Sequence, residues 1–217
     1  LDFGQKNAIK VAYAPSFGRA DLPGGYANAV RPLLQRLDAI SVRERSAITL
    51  VKKVAGRDAQ LVLDPTLLLA GNDYELLTPV PRSSARTSGL VVFLLGSERS
   101  LYLPVYTELR QRLGDGHFCF PPLDLLRHCR PCYPSVNEWL GIIRCAAFVL
   151  TDSYHGTAFA ILHERPFIVL QRPGGTSGRT DRLHSLLAEL GLQHRIVSRF
   201  DADTLGWLCA ERIDWTD

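Results

Sequence analysis

The chain has 217 residues, of which 46% are hydrophobic and 22% are charged, a balance typical of folded globular proteins. Its net charge of +3 is small and dispersed along the chain, which excludes the dense basic surface of nucleic-acid-binding proteins. No run of roughly 20 apolar residues occurs, so the sequence predicts no transmembrane segment.

The first third of the chain alternates predicted strands and helices. The apolar patterns predict strands at residues 8–14, 39–43 and 60–65, and helices at 26–37 and 46–54. Strands that alternate with helices lie side by side in the same direction, so this order favours a parallel sheet.

The sequence then becomes rich in Pro, Ser, Thr and Arg between residues 71 and 88, a composition typical of a linker. We place the linker at 76–88, between an αβ domain at 1–75 and a second αβ domain at 89–217. The second domain has its own series of predicted elements. These are strands at 89–95, 116–120, 147–151, 166–170 and 195–197, and helices at 101–113, 135–144, 157–163, 180–190 and 201–211.

These elements predict an α/β protein with two Rossmann-like parallel-sheet domains that face a cleft. Ligands of such sheets bind beyond the carboxyl ends of the strands, so we expect the active site there. The chain begins at Leu1 and contains no Met, from which we expect that the N-terminal domain is partial. Ser135 followed by Glu138 predicts a capping box at the start of one helix.

The most informative segment is Phe148–Gly156, a hydrophobic strand that ends in a polar turn before an apolar helix. A helix start presents free N–H groups and the positive end of the helix dipole, which favour a bound anion. His155 lies at this junction, and an imidazole can exchange a proton near neutral pH. We therefore predict that His155 is catalytic. The alternative is that Asp152 or Ser153 caps the helix and that His155 only completes a turn.

Other polar residues also follow predicted strands. Ser16 and Gly18 follow the first strand, and Arg43 and Arg45 follow the second. The segment Gly174–Arg182 follows a later strand and carries two further arginines, Arg179 and Arg182. Arginine binds phosphate and carboxylate groups through paired N–H bonds, so we predict that these arginines bind an anion. The alternatives are a solvated charge run at 43–45, a solvated loop at 174–182, and for Asp64 a structural carboxylate that ends a strand.

The five cysteines are an odd number, which favours a reducing compartment over a complete disulfide framework. Cys129 and Cys132 have the CxxC spacing of metal and redox sites, with Cys119 and His128 as further candidate zinc ligands. Adjacent His and Cys ligands are awkward, and no second CxxC occurs. We therefore expect no metal here.

Taken in order, six segments of the chain resemble the polysaccharide pyruvyl transferase family. They are residues 11–18, 40–45, 62–68, 134–140, 148–157 and 182–192. The resemblance implies a fold similar to that of GT-B glycosyltransferases. Family members usually begin earlier, with a Gly-rich loop after a first strand, so the resemblance also implies that residues 1–70 are the later part of the N-terminal domain.

The resemblance implies that pyruvate moves from phosphoenolpyruvate to a sugar, as a cyclic ketal across two hydroxyls. His155 is then the general acid that protonates the donor, and no metal or other cofactor takes part. The donor contacts implied are those of the arginines named above and of the N–H groups of Gly156 and Thr157. Some family members have Arg at the position of Ser153, which puts that donor contact in question.

The acceptor implied is a sugar of a cell-surface or exopolysaccharide precursor in bacteria, carried on a lipid, a nucleotide or a polymer. We expect a cytoplasmic protein, in contact with the inner membrane face if the acceptor is lipid-linked. Two other functions stay open. One is a GT-B glycosyltransferase that uses a nucleotide sugar, and the other is a truncated, non-catalytic domain retained for protein–protein contact.

Overall fold

The computed structural model describes residues 8–78, 89–96, 98–114, 118–120, 133–171 and 179–216, with backbone alone for residues 118–120, 179 and 180. The chain divides into two compact units. Unit 1 consists of Leu1–Leu68 and Gly174–Gly191, and unit 2 consists of Leu69–Pro173 and Leu192–Asp217.

The described residues form eight strands, eight α-helices and two short 3-10 helices. In chain order the strands and α-helices are β1 (Val11–Ala12), α1 (Tyr26–Gln35), β2 (Ala39–Val42), α2 (Arg45–Ala55), β3 (Gln60–Leu61), α3 (Gly71–Glu75), β4 (Leu90–Phe93), α4 (Arg99–Leu113), β5 (Phe118–Phe120), α5 (Val136–Arg144), β6 (Phe148–Thr151), α6 (Tyr154–Leu162), β7 (Phe167–Leu170), α7 (Arg179–Glu189), β8 (Ile196–Val197) and α8 (Ala202–Ala210).

The sheet of unit 1 has the order β1-β2-β3, and both strand pairs are parallel. Helix α2 covers it with an apolar stripe at Ala47, Leu50, Val51 and Val54, the spacing of one helical face. The helix ends at Gly56, whose φ of 67° is the left-handed conformation that closes many helices.

The sheet of unit 2 has the order β5-β4-β6-β7-β8, again with parallel pairs. Its central strands β6 and β7 are buried along their whole length, which explains their uninterrupted apolar sequence. Helices α4 and α8 contact each other, and α5 contacts α6. From β4 the chain moves first to β5 on one side and then crosses to β6 on the other. The direction of strand addition therefore reverses between β4 and β6.

The two parallel sheets confirm the predicted α/β class, and the capping box at Ser135 and Glu138 is also confirmed. Helix α6 begins at Tyr154, three residues before the predicted start at 157. The short helix α3 was not predicted. It forms because Asp73 accepts a hydrogen bond from the Ala70 N–H at 2.9 Å and Tyr74 packs edge-on against Phe159, with ring centroids 5.0 Å apart.

The compact units differ from the predicted domain boundaries in two places. Residues 69–75 group with unit 2, and Gly174–Gly191, which contains α7, groups with unit 1. Most of the predicted linker at 76–88 lies outside the described residues, so the linker stays a prediction. Within the described part of the chain, every helix is too short or too polar to cross a bilayer.

Candidate functional site

The reversal between β4 and β6 marks the place where ligands bind in open parallel sheets. The two strands are hydrogen-bonded neighbours, with Phe93 opposite Thr151 at their carboxyl ends. Because the next strands lie on opposite sides of this pair, the connections that leave β4 and β6 diverge. We call the position between them, where sheets of this kind bind ligands, the crevice. The polar turn that carries His155 follows β6 directly.

The backbone of this turn is fixed by hydroxyl groups. The Thr151 hydroxyl donates to the Phe93 carbonyl at 2.7 Å and accepts from the Ser153 N–H at 3.0 Å. Ser153 is the N-cap of α6, and its hydroxyl accepts from the Gly156 N–H at 3.3 Å. A Cβ at Gly156 would lie 2.4 Å from the Thr151 hydroxyl oxygen, so the turn requires glycine there. The capping alternative for Ser153 is therefore what the structure contains.

His155 is the second residue of α6, and its side chain is exposed. Its ring meets the ring of the buried Tyr154 edge-on, with centroids 5.5 Å apart. The imidazole is thus exposed in the first turn of a helix that follows the strand reversal. A proton-transfer group must be within reach of its substrate, and exposure allows this.

The structure gives the N–H groups of Gly156 and Thr157 other partners than a ligand. The Gly156 N–H donates to the Ser153 hydroxyl, and the Thr157 N–H donates to the Ser153 carbonyl at 3.0 Å. The side chain of Thr157 is fully buried, and its hydroxyl also donates to the Ser153 carbonyl. Both residues and Ser153 shape the turn, and contacts of these three residues with the donor stay a prediction.

Asp152 holds the two sides of the crevice together. Its carboxylate is 5% exposed and accepts three hydrogen bonds of 2.7 Å, from the Leu95 N–H, the Gly96 N–H and the Tyr102 hydroxyl. The sequence pattern predicted Asp152 only as a possible helix cap, and this role was missed. The signal available was an acidic residue at the end of a buried strand, but its partners are 50 or more residues away.

Ser16 and Gly18 lie in a turn that Glu44 anchors in unit 1. The Gly18 N–H donates to the Ser16 hydroxyl at 3.0 Å, and the Phe17 N–H donates to Glu44 Oε1 at 2.8 Å. Glu44 is fully buried, and its Oε2 has no hydrogen-bond partner among the described residues. The sequence did not single out Glu44, because it lies between two arginines in what resembles a surface charge run.

Arg43 is paired with Asp64 rather than free for an anion. The guanidinium donates to the Asp64 carboxylate, and the two side chains are 17% and 2% exposed. Asp64 also accepts from the N–H and the hydroxyl of Thr66, at 3.0 and 2.8 Å. Burial by itself raises the pKa of Asp64, but the hydrogen bonds from Thr66 and Arg43 outweigh burial and hold that pKa below its usual value. The structural alternative for Asp64 is therefore what the structure contains.

Arg45 ties α2 to α7. Its guanidinium pairs with Glu189, and its N–H donates to the Ser185 hydroxyl at 3.2 Å. The Ser46 hydroxyl donates to Asp181 of the same helix. Two members of the predicted arginine set also belong to this region: Arg182 is half-buried on α7, while the side chain of Arg179 and the loop at 174–178 lie outside the described residues.

The predicted site residues thus form two groups. Ser153, His155, Gly156 and Thr157 come together at the crevice of unit 2, whereas Ser16, Gly18, Arg43, Arg45 and the α7 arginines belong to unit 1. Within the described ranges, no three His, Cys, Asp or Glu side chains approach closely enough to hold a metal ion. His128, Cys129 and Cys132 lie outside those ranges, so the expectation about them stays a prediction.

His163 is buried at the end of α6. Its ring stacks on Phe159 with centroids 6.3 Å apart, and its Nε2 has no hydrogen-bond partner in the part of the chain that the structure describes. Burial, followed by the charges of Arg144 and Arg165, lowers the pKa of His163 below its ordinary 6.5.

We expect this histidine to make folding sensitive to mild acid. At a pH between the lowered folded-state pKa of His163 and its unfolded-state pKa of about 6.5, the imidazole is protonated in the unfolded chain and neutral in the folded chain. Stability is therefore complete above pH 7 and falls as the pH drops through 6.5, by at most about 1.4 kcal/mol per pH unit for one proton. Urea unfolding at pH 7.5 and 5.5 should show a smaller loss for His163→Leu than for wild type. His184→Gln, which removes an exposed imidazole, is the matched control, and equal losses in His163→Leu and wild type would contradict the assignment.

Comparison with known proteins agrees with the resemblance in the sequence. The family model described as polysaccharide pyruvyl transferase matches residues 1–172. The match includes β6, the turn with His155 and the whole of α6, and it ends before α7. No curated protein matches the chain.

Proposed function

We propose, because this chain belongs to the polysaccharide pyruvyl transferase family, that it moves pyruvate from phosphoenolpyruvate to a sugar as a cyclic ketal. The observation that carries the proposal is the exposed imidazole of His155 in the first turn of α6, at the strand reversal of unit 2. Anionic ligands are favoured at such a helix start, and phosphoenolpyruvate carries both a phosphate and a carboxylate.

The reaction needs one proton donor and releases two hydroxyl protons. The imidazolium of His155 protonates the methylene carbon of the donor, which makes the adjacent carbon electrophilic. A sugar hydroxyl attacks that carbon, the carbon–oxygen bond to phosphate breaks, and the second hydroxyl closes the ketal. Of the two hydroxyl protons released, one restores His155 and the other leaves with the phosphate.

Two of the arginines proposed to bind the donor also take part in ion pairs of unit 1. Arg43 and Arg45 stay donor-binding candidates on the sequence argument, and each also pairs with a carboxylate, that of Asp64 or that of Glu189. We retain Arg179 and Arg182 as donor-binding candidates on the sequence argument. Ser16 and Gly18 are further candidates for substrate contact, because they follow a strand of a parallel sheet and Glu44 holds the turn that contains them.

The proposal also includes the arrangement of the domains, the acceptor and the location of the protein. They are a GT-B-like arrangement of the two domains about a cleft, a bacterial exopolysaccharide precursor as acceptor, and a cytoplasmic protein that contacts the inner membrane face when the acceptor is lipid-linked. A nucleotide-sugar glycosyltransferase is the second candidate, since an αβ sheet with a strand reversal also suits nucleotides.

The test is a thermal-shift titration with phosphoenolpyruvate beside UDP-glucose and UDP-galactose. Phosphoenolpyruvate at about 100 times its Kd should stabilise the wild type by about 2.7 kcal/mol. Arg179→Ala should lose most of this shift, whereas Arg212→Ala, which removes an exposed arginine near the C-terminus, should keep it. A shift with a UDP-sugar alone would replace the proposal with the glycosyltransferase. No shift with any of these ligands would contradict both enzymes and favour the non-catalytic domain.

A further inference from the structure

The carboxylate of Asp152 joins two connections that are far apart in sequence. Asp152 itself follows β6 and lies three residues before His155. Two of its hydrogen-bond donors, the N–H groups of Leu95 and Gly96, lie on the connection from β4 to α4, and the third, the Tyr102 hydroxyl, lies in the first turn of α4. The carboxylate is therefore hydrogen-bonded both to the backbone just before α4 and to a side chain in the first turn of α4.

A buried carboxylate in this position is costly in free energy. Burying a carboxylate loses its hydration, and the loss is recovered only when several donors surround the charge. Here two of the three hydrogen-bond donors are backbone N–H groups just after β4, and the third is the hydroxyl of a fully buried tyrosine. The network lies at the carboxyl ends of the two strands between which the order reverses, where it borders the apolar core to which Tyr102 belongs.

We propose that Asp152 is a positioning residue of the donor site: it holds the β4–α4 connection, as one wall of the crevice, at a fixed distance from the turn that carries His155. Asp152 acts through these groups and does not touch phosphoenolpyruvate. Both of its carboxylate oxygens already accept hydrogen bonds, from the Leu95 N–H, the Gly96 N–H and the Tyr102 hydroxyl. The inference rests on the proposed function, because it names phosphoenolpyruvate as the ligand that the two walls enclose.

The variants form a graded series. Asp152→Asn replaces one acceptor oxygen with an NH₂ group that faces a donor, so at least one backbone N–H loses its partner. Tyr102→Phe removes one hydroxyl and leaves both backbone hydrogen bonds in place. Val197→Ala, on β8 at the far edge of the sheet, destabilises the same unit by lost burial without touching the crevice.

The measurement is the Kd of phosphoenolpyruvate well below the unfolding transition, together with hydrogen exchange at the Leu95 and Gly96 amides. We expect Asp152→Asn to raise Kd at least tenfold and to speed exchange at both amides, and Tyr102→Phe to raise Kd two- to fivefold. Val197→Ala should bind the donor as wild type does, which separates positioning from general loss of stability.

The experiment distinguishes failure of the positioning role from failure of the proposed function. If wild type binds phosphoenolpyruvate and both Asp152→Asn and Tyr102→Phe bind it equally well, the positioning role is overturned and the proposed function stands. If Val197→Ala loses as much affinity as Asp152→Asn, the role is likewise overturned, because stability alone explains the effect. If wild type does not bind phosphoenolpyruvate, the proposed function is overturned and this inference falls with it.

Discussion

Replacement of His155 by alanine is expected to abolish turnover while leaving folding nearly intact. A general acid contributes about 10²- to 10⁴-fold to the rate, so kcat should fall by at least about a hundredfold. The side chain is exposed, and substitutions at exposed positions usually change the free energy of unfolding by less than about 0.5 kcal/mol. Steady-state kinetics with phosphoenolpyruvate and urea unfolding of the same preparation measure the two effects.

The matched control is His184→Ala, which removes an exposed histidine from the middle of α7. It should keep the wild-type kcat. If His155→Ala loses stability in proportion to its activity, then His155 is a structural residue of the turn. If His155→Ala retains turnover, the proton comes from another group and the proposed mechanism is wrong.

The strand and the helix on either side of His155 were predictable from sequence, but the helix start was not. Strand β6 and the body of α6 are long apolar runs, which leave little choice about their type. Tyr154, His155 and Gly156 are poor helix formers, so local preference alone favours a later start. The early start depends on the Ser153 cap and on the space that Thr151 leaves only for glycine, and both are properties of the folded turn.

The roles of charged residues depended even more on the tertiary fold. The sequence placed Arg43 and Arg45 correctly after a strand, where anions bind, and α2 does begin there. Their partners are 21 and 144 residues away in the chain, so the spacing of charges contained no sign of either pair. Asp152 and Glu44 were underestimated for the same reason, since a carboxylate becomes informative only when its burial and its donors are known.

Replacement of Arg43 by alanine is expected to act on folding first. It leaves the Asp64 carboxylate buried without its guanidinium, and breaking a buried pair in this way costs about 3–5 kcal/mol. The double variant Arg43→Ala/Asp64→Ala should recover part of that loss, because it removes the stranded charge as well. Urea unfolding at pH 7 measures both, with Arg212→Ala as the exposed-arginine control.

The pH dependence gives the same pair a second signature. The folded-state pKa of Asp64 is lowered, so its contribution to stability is fully present above the unfolded pKa of about 3.9 and is lost as the pH falls from there through the lower folded-state pKa. Arg43 is one cause of the lowered pKa, so Arg43→Ala should lose less stability than wild type between pH 7 and pH 3. A variant that folds as stably as wild type but raises the KM for phosphoenolpyruvate tenfold would contradict the structural pair. Such a result would assign Arg43 to the donor site. A tenfold change corresponds to about 1.4 kcal/mol of lost binding free energy, and unchanged folding would mean that the Asp64 carboxylate does not need Arg43 in the folded state.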